Sequence, residues 1–99
     1  MTFLILRSLI DGPSHGYALE NYLSQKLKRP IPPGTIYVIL LSLNRDGLVS
    51  VKERTVINGR AVTNYELTQL GREFLLDHKE PMLVMRDVVE ELIRAIDSL

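Results

Sequence analysis

Three cationic side chains cluster around a turn signal near the middle of the chain. Lys52 and Arg54 alternate in a stretch with strand spacing and should share one strand face, and Arg60 adjoins the dipeptide Asn58-Gly59. Cationic groups on such a hairpin can pair with the phosphates of nucleic acid. The alternative is that the hairpin is only a charged, solvated surface. We favour phosphate contact, because a single carboxylate, Glu53, accompanies these three cations.

A second set of polar residues lies upstream, in a segment with helical spacing. Ser42, Asn44 and Arg45 fall away from its apolar stripe. Asn and Arg side chains can read base edges through paired hydrogen bonds. The alternative is an ordinary solvated surface, and Arg45 lies close to the end of the helix. Ser42 is kept as a candidate for nucleic-acid contact.

Other kinds of chemistry find little support in the sequence. The absence of cysteine excludes disulfides, zinc–cysteine sites and thiol catalysis. His78, with Asp77 and Glu80, could suggest a metal site, but His15, the other histidine, is far away in the chain. We find no nucleophile–base pair, metal-ligand cluster or phosphate-binding glycine loop. We therefore expect neither an enzyme nor a cofactor.

The charge of the chain is balanced as a whole but not along its length. The formal net charge is zero, which argues mildly against nucleic acid as a partner. Residues 81–99 hold two cations and four carboxylates, so residues 1–80 carry the compensating positive charge. A small basic patch is therefore expected in the first part of the chain.

The first half of the chain predicts three short helices. Phe3–Ile10 is an apolar helix ended by Asp11-Gly12-Pro13, and Ser14 can cap the next one. A third helix begins near Pro33 and runs to about Asp46, before Gly47. We expect the second helix to bury Leu19, Leu23 and Leu27, and the third to bury Ile36, Leu40 and Leu43.

A hairpin and a fourth helix follow. Asn58-Gly59 favours a tight turn, because both residues tolerate positive φ. Thr68 can cap the next helix. Val49 and Val51 should face one way on the first strand, and the returning strand should place Ala61, Thr63, Tyr65 and Leu67 on one face. The fourth helix is expected to bury Leu70, Phe74 and Leu75.

The last helix, which Pro81 opens, has the spacing of a coiled-coil seam. Its apolar residues recur at intervals of three and four, and the run is shorter than three heptads. The stripe could fold back onto the core, but we favour dimerisation, because a small domain buries little surface alone. The expected dimer interface comprises Met82, Met85, Val89, Leu92, Ile96 and Leu99.

Three short helices followed by a hairpin are typical of the winged helix, a variant of the helix-turn-helix. The sequence thus predicts a mainly α chain with a two-stranded β-hairpin, in the α+β class. We expect one compact domain, with a winged helix-turn-helix over residues 1–79 and a dimerisation helix over residues 80–99.

The apolar start is too short to span a membrane and lacks the order of a signal peptide. We therefore expect a soluble, cytoplasmic protein.

Several short motifs, taken together, resemble the PadR family of transcriptional regulators over roughly residues 4 to 76. They are His15-Gly16-Tyr17, Pro33-Gly34-Thr35-Ile36-Tyr37, Asp46-Gly47-Leu48-Val49, Asn64-Tyr65-Glu66-Leu67-Thr68 and Gly71-Arg72. The resemblance implies a dimeric winged-helix repressor of the short form, with a single C-terminal helix that pairs with its partner. It also implies that a palindromic operator on double-stranded DNA is bound through the third helix and the hairpin.

The resemblance adds Thr35 and Tyr37 as candidates for DNA contact, with a helix cap and packing against the hairpin as the respective alternatives. His15 is expected to make a structural hydrogen bond at a helix start, and Tyr17 to pack in the core. Some family members release DNA on binding phenolic acids or hydrophobic drugs, so a small hydrophobic or aromatic effector stays open.

The chain departs from the family at positions where basic residues are common. It has Leu41 and Ser42 in the third helix, and Ala61 and Val62 after Gly59-Arg60. An exposed Leu41 beside Val38 would form an apolar patch where DNA should lie. The alternative function is therefore a winged-helix protein-interaction module that does not bind DNA.

Overall fold

The computed structural model describes the backbone of all 99 residues and every side chain except that of Pro33. It confirms the predicted α+β class and the winged-helix order of three helices followed by an antiparallel hairpin. The elements are α1 (Thr2–Ile10), β1 (Ser14–His15), α2 (Gly16–Leu27), α3 (Pro33–Arg45), β2 (Val49–Ile57), β3 (Arg60–Leu67), α4 (Gln69–Asp77) and α5 (Lys79–Asp97). The β2–β3 hairpin is called the wing below.

The sheet has one strand more than the predicted hairpin. Its order is β1-β3-β2, and the two residues of β1 pair antiparallel with Tyr65 and Asn64 on β3. Two residues are too few to show the alternation that identifies a strand in a sequence. The short strand covers one edge of β3 and joins the start of α2 to the wing.

Backbone conformations at two turns agree with the sequence. Asn58 and Gly59 have φ of 51° and 78°, the left-handed pair that is typical of a type I′ hairpin turn. Gly47 follows α3 with φ of 78°. A glycine takes this conformation without the steric cost that a Cβ atom adds, so the helix ends there and β2 can begin.

A single core lies between the first three helices and the base of the wing. The predicted inner face of α3 is confirmed, because Ile36, Leu40 and Leu43 are all buried. The largest fully buried side chains of the core are Ile5, Leu6, Leu9, Leu19, Leu23, Ile36, Leu40 and Val49. Leu27 was expected in the core but is 39% exposed, because α2 ends directly after it at Lys28, in a left-handed conformation.

Side-chain caps fix the starts of α2 and α4. The prediction for Thr68 is confirmed, because its hydroxyl accepts a hydrogen bond from the Gly71 N–H at 3.0 Å. The prediction for Ser14 is wrong, because Ser14 pairs with β3 and the extended residue before α2 is His15. His15 Nδ1 accepts from the Ala18 N–H at 3.4 Å, which is the structural role expected for this histidine.

Helix α4 buries less than predicted, and α5 leaves its apolar stripe exposed. Phe74 and Leu75 of α4 pack against the core, whereas Leu70 is exposed. Helix α5 begins at Lys79, two residues before the predicted start. Pro81 lies in its first turn, where a backbone N–H would have no hydrogen-bond partner within the helix, so proline is tolerated there. None of its 19 residues is buried. Among the described residues, no helix is long and apolar enough to cross a membrane.

Candidate nucleic-acid interface

The side of α3 that faces away from the core is uncovered. We call Gly34, Tyr37, Val38, Leu41 and Arg45 the outer face of α3, because the intervals of three and four residues place them along one side of the helix. All five are exposed, and Val38 and Leu41 reach 68% and 66%. The apolar patch considered from the sequence is therefore present on this face.

The start of α3 is anchored to the start of α2. The Tyr37 hydroxyl approaches Gly16 so closely that a Cβ atom there would lie 3.3 Å from it, so a glycine leaves the space that the ring needs. The same ring lines a cleft with Arg60 and Val62 of the wing. Tyr37 is half exposed, so it packs near the wing and still presents one side to solvent.

Thr35 and Ser42 lie off the outer face. Thr35 is half-buried in the first turn of α3, where Pro32 occupies the N-cap position and no side chain caps the helix. Ser42 is half-buried in a cleft with Thr2 and Phe74 that Val38 also borders, so this side of α3 adjoins α1 and α4. The Ser42 hydroxyl accepts a hydrogen bond from Arg45 at 3.3 Å.

Strand alternation predicts that Lys52 and Arg54 lie on one face of the wing, but the structure places them on opposite faces. Val51 pairs with Tyr65 and Glu53 pairs with the next residue of β3, Asn64, so Lys52 is the extra residue of a β-bulge. A bulge interrupts the alternation of strand faces. The prediction that the two cations share a face is therefore wrong.

The partners of the two cations show the result of the bulge. Lys52 Nζ lies 3.7 Å from a Glu66 carboxylate oxygen, whereas Arg54 pairs across the ladder with Thr63. Residues 63 and 66 of β3 point to opposite faces of the sheet. Among the described residues, no ion pair engages Arg54, so its guanidinium is available to an anion.

Arg60, at the first position of β3, is tied to α2. Its Nη1 donates a hydrogen bond to the Tyr17 hydroxyl at 2.7 Å. Tyr17 was expected in the core, but it is 46% exposed, because the first turn of α2 projects toward the wing and meets this guanidinium. The ring of Tyr17 also lies edge-on to His15, with centroids 6.2 Å apart. This hydrogen bond attaches the wing to the start of α2 in addition to the pairing of β1 with β3.

The apolar residues of α5 that were predicted to form the dimer interface are exposed in a single chain. Every predicted interface residue is exposed, and Val84, Val88 and Ile93 extend the apolar surface. The start of α5 packs against an aromatic cluster, in which the centroid of the Phe74 ring lies 5.6 Å from that of Phe3 and 4.2 Å from that of His78. Beyond this aromatic cluster, its own chain gives α5 little to pack against.

The histidine considered as a metal ligand has a structural contact instead. His78 Nδ1 lies 2.7 Å from the Phe74 carbonyl oxygen, and because a carbonyl only accepts, this nitrogen carries the proton. Among the described residues, no group of three or more potential ligands is suited to a metal ion.

Comparison with known proteins places the chain in a family. The model of the transcriptional regulator PadR-like family matches residues 5–77. Transcriptional regulator Rv3488 of Mycobacterium tuberculosis is 37% identical over 92 residues, which cover 93% of this chain and 78% of the relative.

Solved structures agree with this placement. The structure of TA0346, a candidate transcriptional regulator of Thermoplasma acidophilum, superposes with a TM-score of 0.79 at 31% identity, over 95% of this chain and 89% of the other. Bacillus subtilis PadR, solved in complex with operator DNA, gives a TM-score of 0.68 at 25% identity, over 77% of this chain and 44% of that longer one. The protein belongs to the PadR-like family of transcriptional regulators.

Proposed function

We propose that the protein is a homodimeric repressor that binds a palindromic DNA operator through α3 and the wing. The observation that carries this proposal is the uncovered outer face of α3, which adjoins the wing through the cleft shared by Tyr37 and Arg60. In helix-turn-helix proteins the second helix of the motif enters the major groove. The Bacillus subtilis relative, which was solved with operator DNA, supports the same use of the fold here.

The two parts of the interface have different tasks. Phosphate contacts set the register of a protein on DNA, and contacts to base edges specify the sequence. Arg54 on one face of the wing, and Arg60 and Lys52 on the other, supply the phosphate contacts. The outer face of α3, with Thr35 and Ser42 on its flanks, lies against the bases.

Dimerisation through α5 completes the site. Its apolar stripe is exposed along the whole helix, and an apolar surface of this kind is typical of protein interfaces. Pairing with α5 of a second copy would bury Met82, Met85, Val89, Leu92, Ile96 and Leu99. Two winged-helix bodies would then meet half-sites one helical turn apart, roughly 34 Å. We also propose that the protein acts in the cytoplasm. Whether a small hydrophobic or aromatic effector regulates it is an open question.

Fluorescence anisotropy with the protein's own upstream region and with random DNA, at several salt concentrations, tests this function. The upstream region should bind more tightly, and log K should fall with log salt by about 0.9 for each phosphate contact. Because few cations lie at the interface, the slope should be shallower than for a strongly basic repressor. Equal binding of both DNAs at every salt concentration would refute operator recognition.

The second candidate function is a protein-interaction module, and the exposure of Val38 and Leu41 favours it. If a partner protein covers this patch, DNA affinity should be absent at low salt. Substituting both residues with serine should then abolish binding to that partner. Operator binding in the anisotropy experiment would decide against this candidate.

A further inference from the structure

The centre of the outer face of α3 has no hydrogen-bonding side chain. Val38 and Leu41 lie one turn apart, and each is about two-thirds exposed. The polar side chains of the outer face flank this pair, because Tyr37 packs near the wing and Arg45, at the end of the helix, donates to Ser42 at 3.3 Å. The part of α3 best placed to meet base edges therefore offers branched aliphatic groups.

The major groove offers one apolar group that matches such side chains. Guanine, cytosine and adenine present donors or acceptors there, whereas thymine also presents its C5 methyl group. An aliphatic side chain pressed against a donor or acceptor would remove water without replacing its hydrogen bond, which costs free energy. Contact with a methyl group instead buries apolar surface from both molecules.

We propose that Val38 and Leu41 read the C5 methyl groups of thymines in each operator half-site. This inference rests on the proposed binding of α3 in the major groove, and it adds the base chemistry that is recognised. The cations of the wing hold the duplex in place, and the aliphatic pair selects A·T pairs whose thymine faces α3. The specificity of this protein then depends on apolar contacts more than on hydrogen bonds to bases.

Replacing thymine by deoxyuridine tests the proposal directly, because it removes the methyl group and leaves base pairing and hydrogen-bonding edges intact. The probe is a duplex selected by the protein from a random-sequence pool, with each half-site thymine replaced in turn. At least one replacement per half-site should weaken binding about fourfold, the equivalent of about 0.8 kcal/mol for one buried methyl group. If that thymine is replaced by cytosine instead, 5-methylcytosine at the same position should bind more tightly than cytosine, because it restores the methyl group.

Protein variants identify the side chains that make the contact. Leu41→Ala and Val38→Ala should each bind the thymine duplex more weakly and lose the preference for thymine over deoxyuridine at one position. Both residues are exposed, so neither truncation should lower the thermal stability. Leu70→Ala removes an exposed leucine from α4 and is the matched control, which should keep the full preference for thymine.

The outcomes separate this inference from the proposed function. If the protein selects a DNA site but binds thymine and deoxyuridine duplexes equally, methyl recognition is wrong and operator binding stands. If the variants keep the wild-type preference, other residues contact the methyl groups and the assignment to Val38 and Leu41 is wrong. If no DNA is selected at all, the proposed function fails and this inference fails with it.

Discussion

Helices α3 and α5 carry similar apolar spacing, but the chain covers only one of them. The inner face of α3, with Ile36, Leu40 and Leu43, is buried by its own chain, whereas no residue of α5 is buried. The amphipathic pattern reports that a face requires a partner. It does not report whether that partner belongs to the same chain, to a second copy or to DNA.

The largest expected effect comes from charging the apolar stripe of α5. The double variant Val89→Glu, Leu92→Glu should be monomeric, because four carboxylates would have to be buried in each dimer. Loss of the tethered second half-site should weaken operator binding by about 100-fold or more. Analytical ultracentrifugation and anisotropy measure the two effects.

The matched control is Arg94→Glu, which changes the charge of each chain by the same amount on the opposite side of α5. It should remain dimeric. A double variant that sediments as a dimer would show that α5 is not the interface. The proposal that a second copy of the chain covers the apolar stripe of α5 would then be wrong.

A second pair of variants tests the packing of the winged-helix body. A Cβ atom on Gly71 would overlap the Leu48 carbonyl oxygen and lie 2.6 Å from Leu67 Cδ1, so Gly71→Ala should destabilise the fold by about 3 kcal/mol. A Cβ atom on Gly34 meets nothing within 4 Å, so Gly34→Ala should be neutral or stabilising by up to about 1 kcal/mol. Urea denaturation measures both. Equal stabilities would mean that α4 does not pack tightly on Leu48.

The bulge in the wing predicts that Lys52 and Arg54 differ in their effects on DNA binding. Arg54→Ala should lower the salt slope of a dimer by about 1.8, because one phosphate contact is lost from each protomer. Lys52→Ala should lower it less, because the Lys52 ammonium group already lies 3.7 Å from a Glu66 carboxylate oxygen. Anisotropy titrations over a salt series compare them. Equal slopes for the two variants would show that the bulge does not separate their roles.

The smallest effect is expected where the wing meets α2. Tyr17→Phe removes the hydrogen bond to Arg60 and should cost at most about 1 kcal/mol of stability, with a few-fold loss of operator affinity as the wing loosens. Tyr22→Phe is the control, because no hydrogen bond engages the Tyr22 hydroxyl in the described structure. An identical response of the two variants in thermal denaturation and anisotropy would exclude a role for the hydrogen bond.

Local features of this fold were predictable from the sequence. The turn at Asn58-Gly59, the cap at Thr68 and the bounds of α3 each depend on a few neighbouring residues with restricted backbone preferences. The inner face of α3 was predictable because helical periodicity records burial directly.

Features of the candidate site that depend on distant contacts were not predictable. The hydrogen bond between Tyr17 and Arg60 joins residues 43 positions apart, and no local pattern marks it. The bulge at Lys52 shifts the register by one residue, which reverses the face that every later side chain of β2 occupies. Strand alternation alone therefore misplaced Arg54 relative to Lys52.

Selection of bound duplexes from a random-sequence DNA pool tests the central claim most directly, because it reports binding and the site together. A dimer held by α5 with two α3 helices predicts enrichment of inverted half-sites whose centres lie about 10 base pairs apart. Enrichment of a single unpaired half-site would contradict the dimeric account. Recovery of no sequence above the starting pool would contradict operator recognition itself.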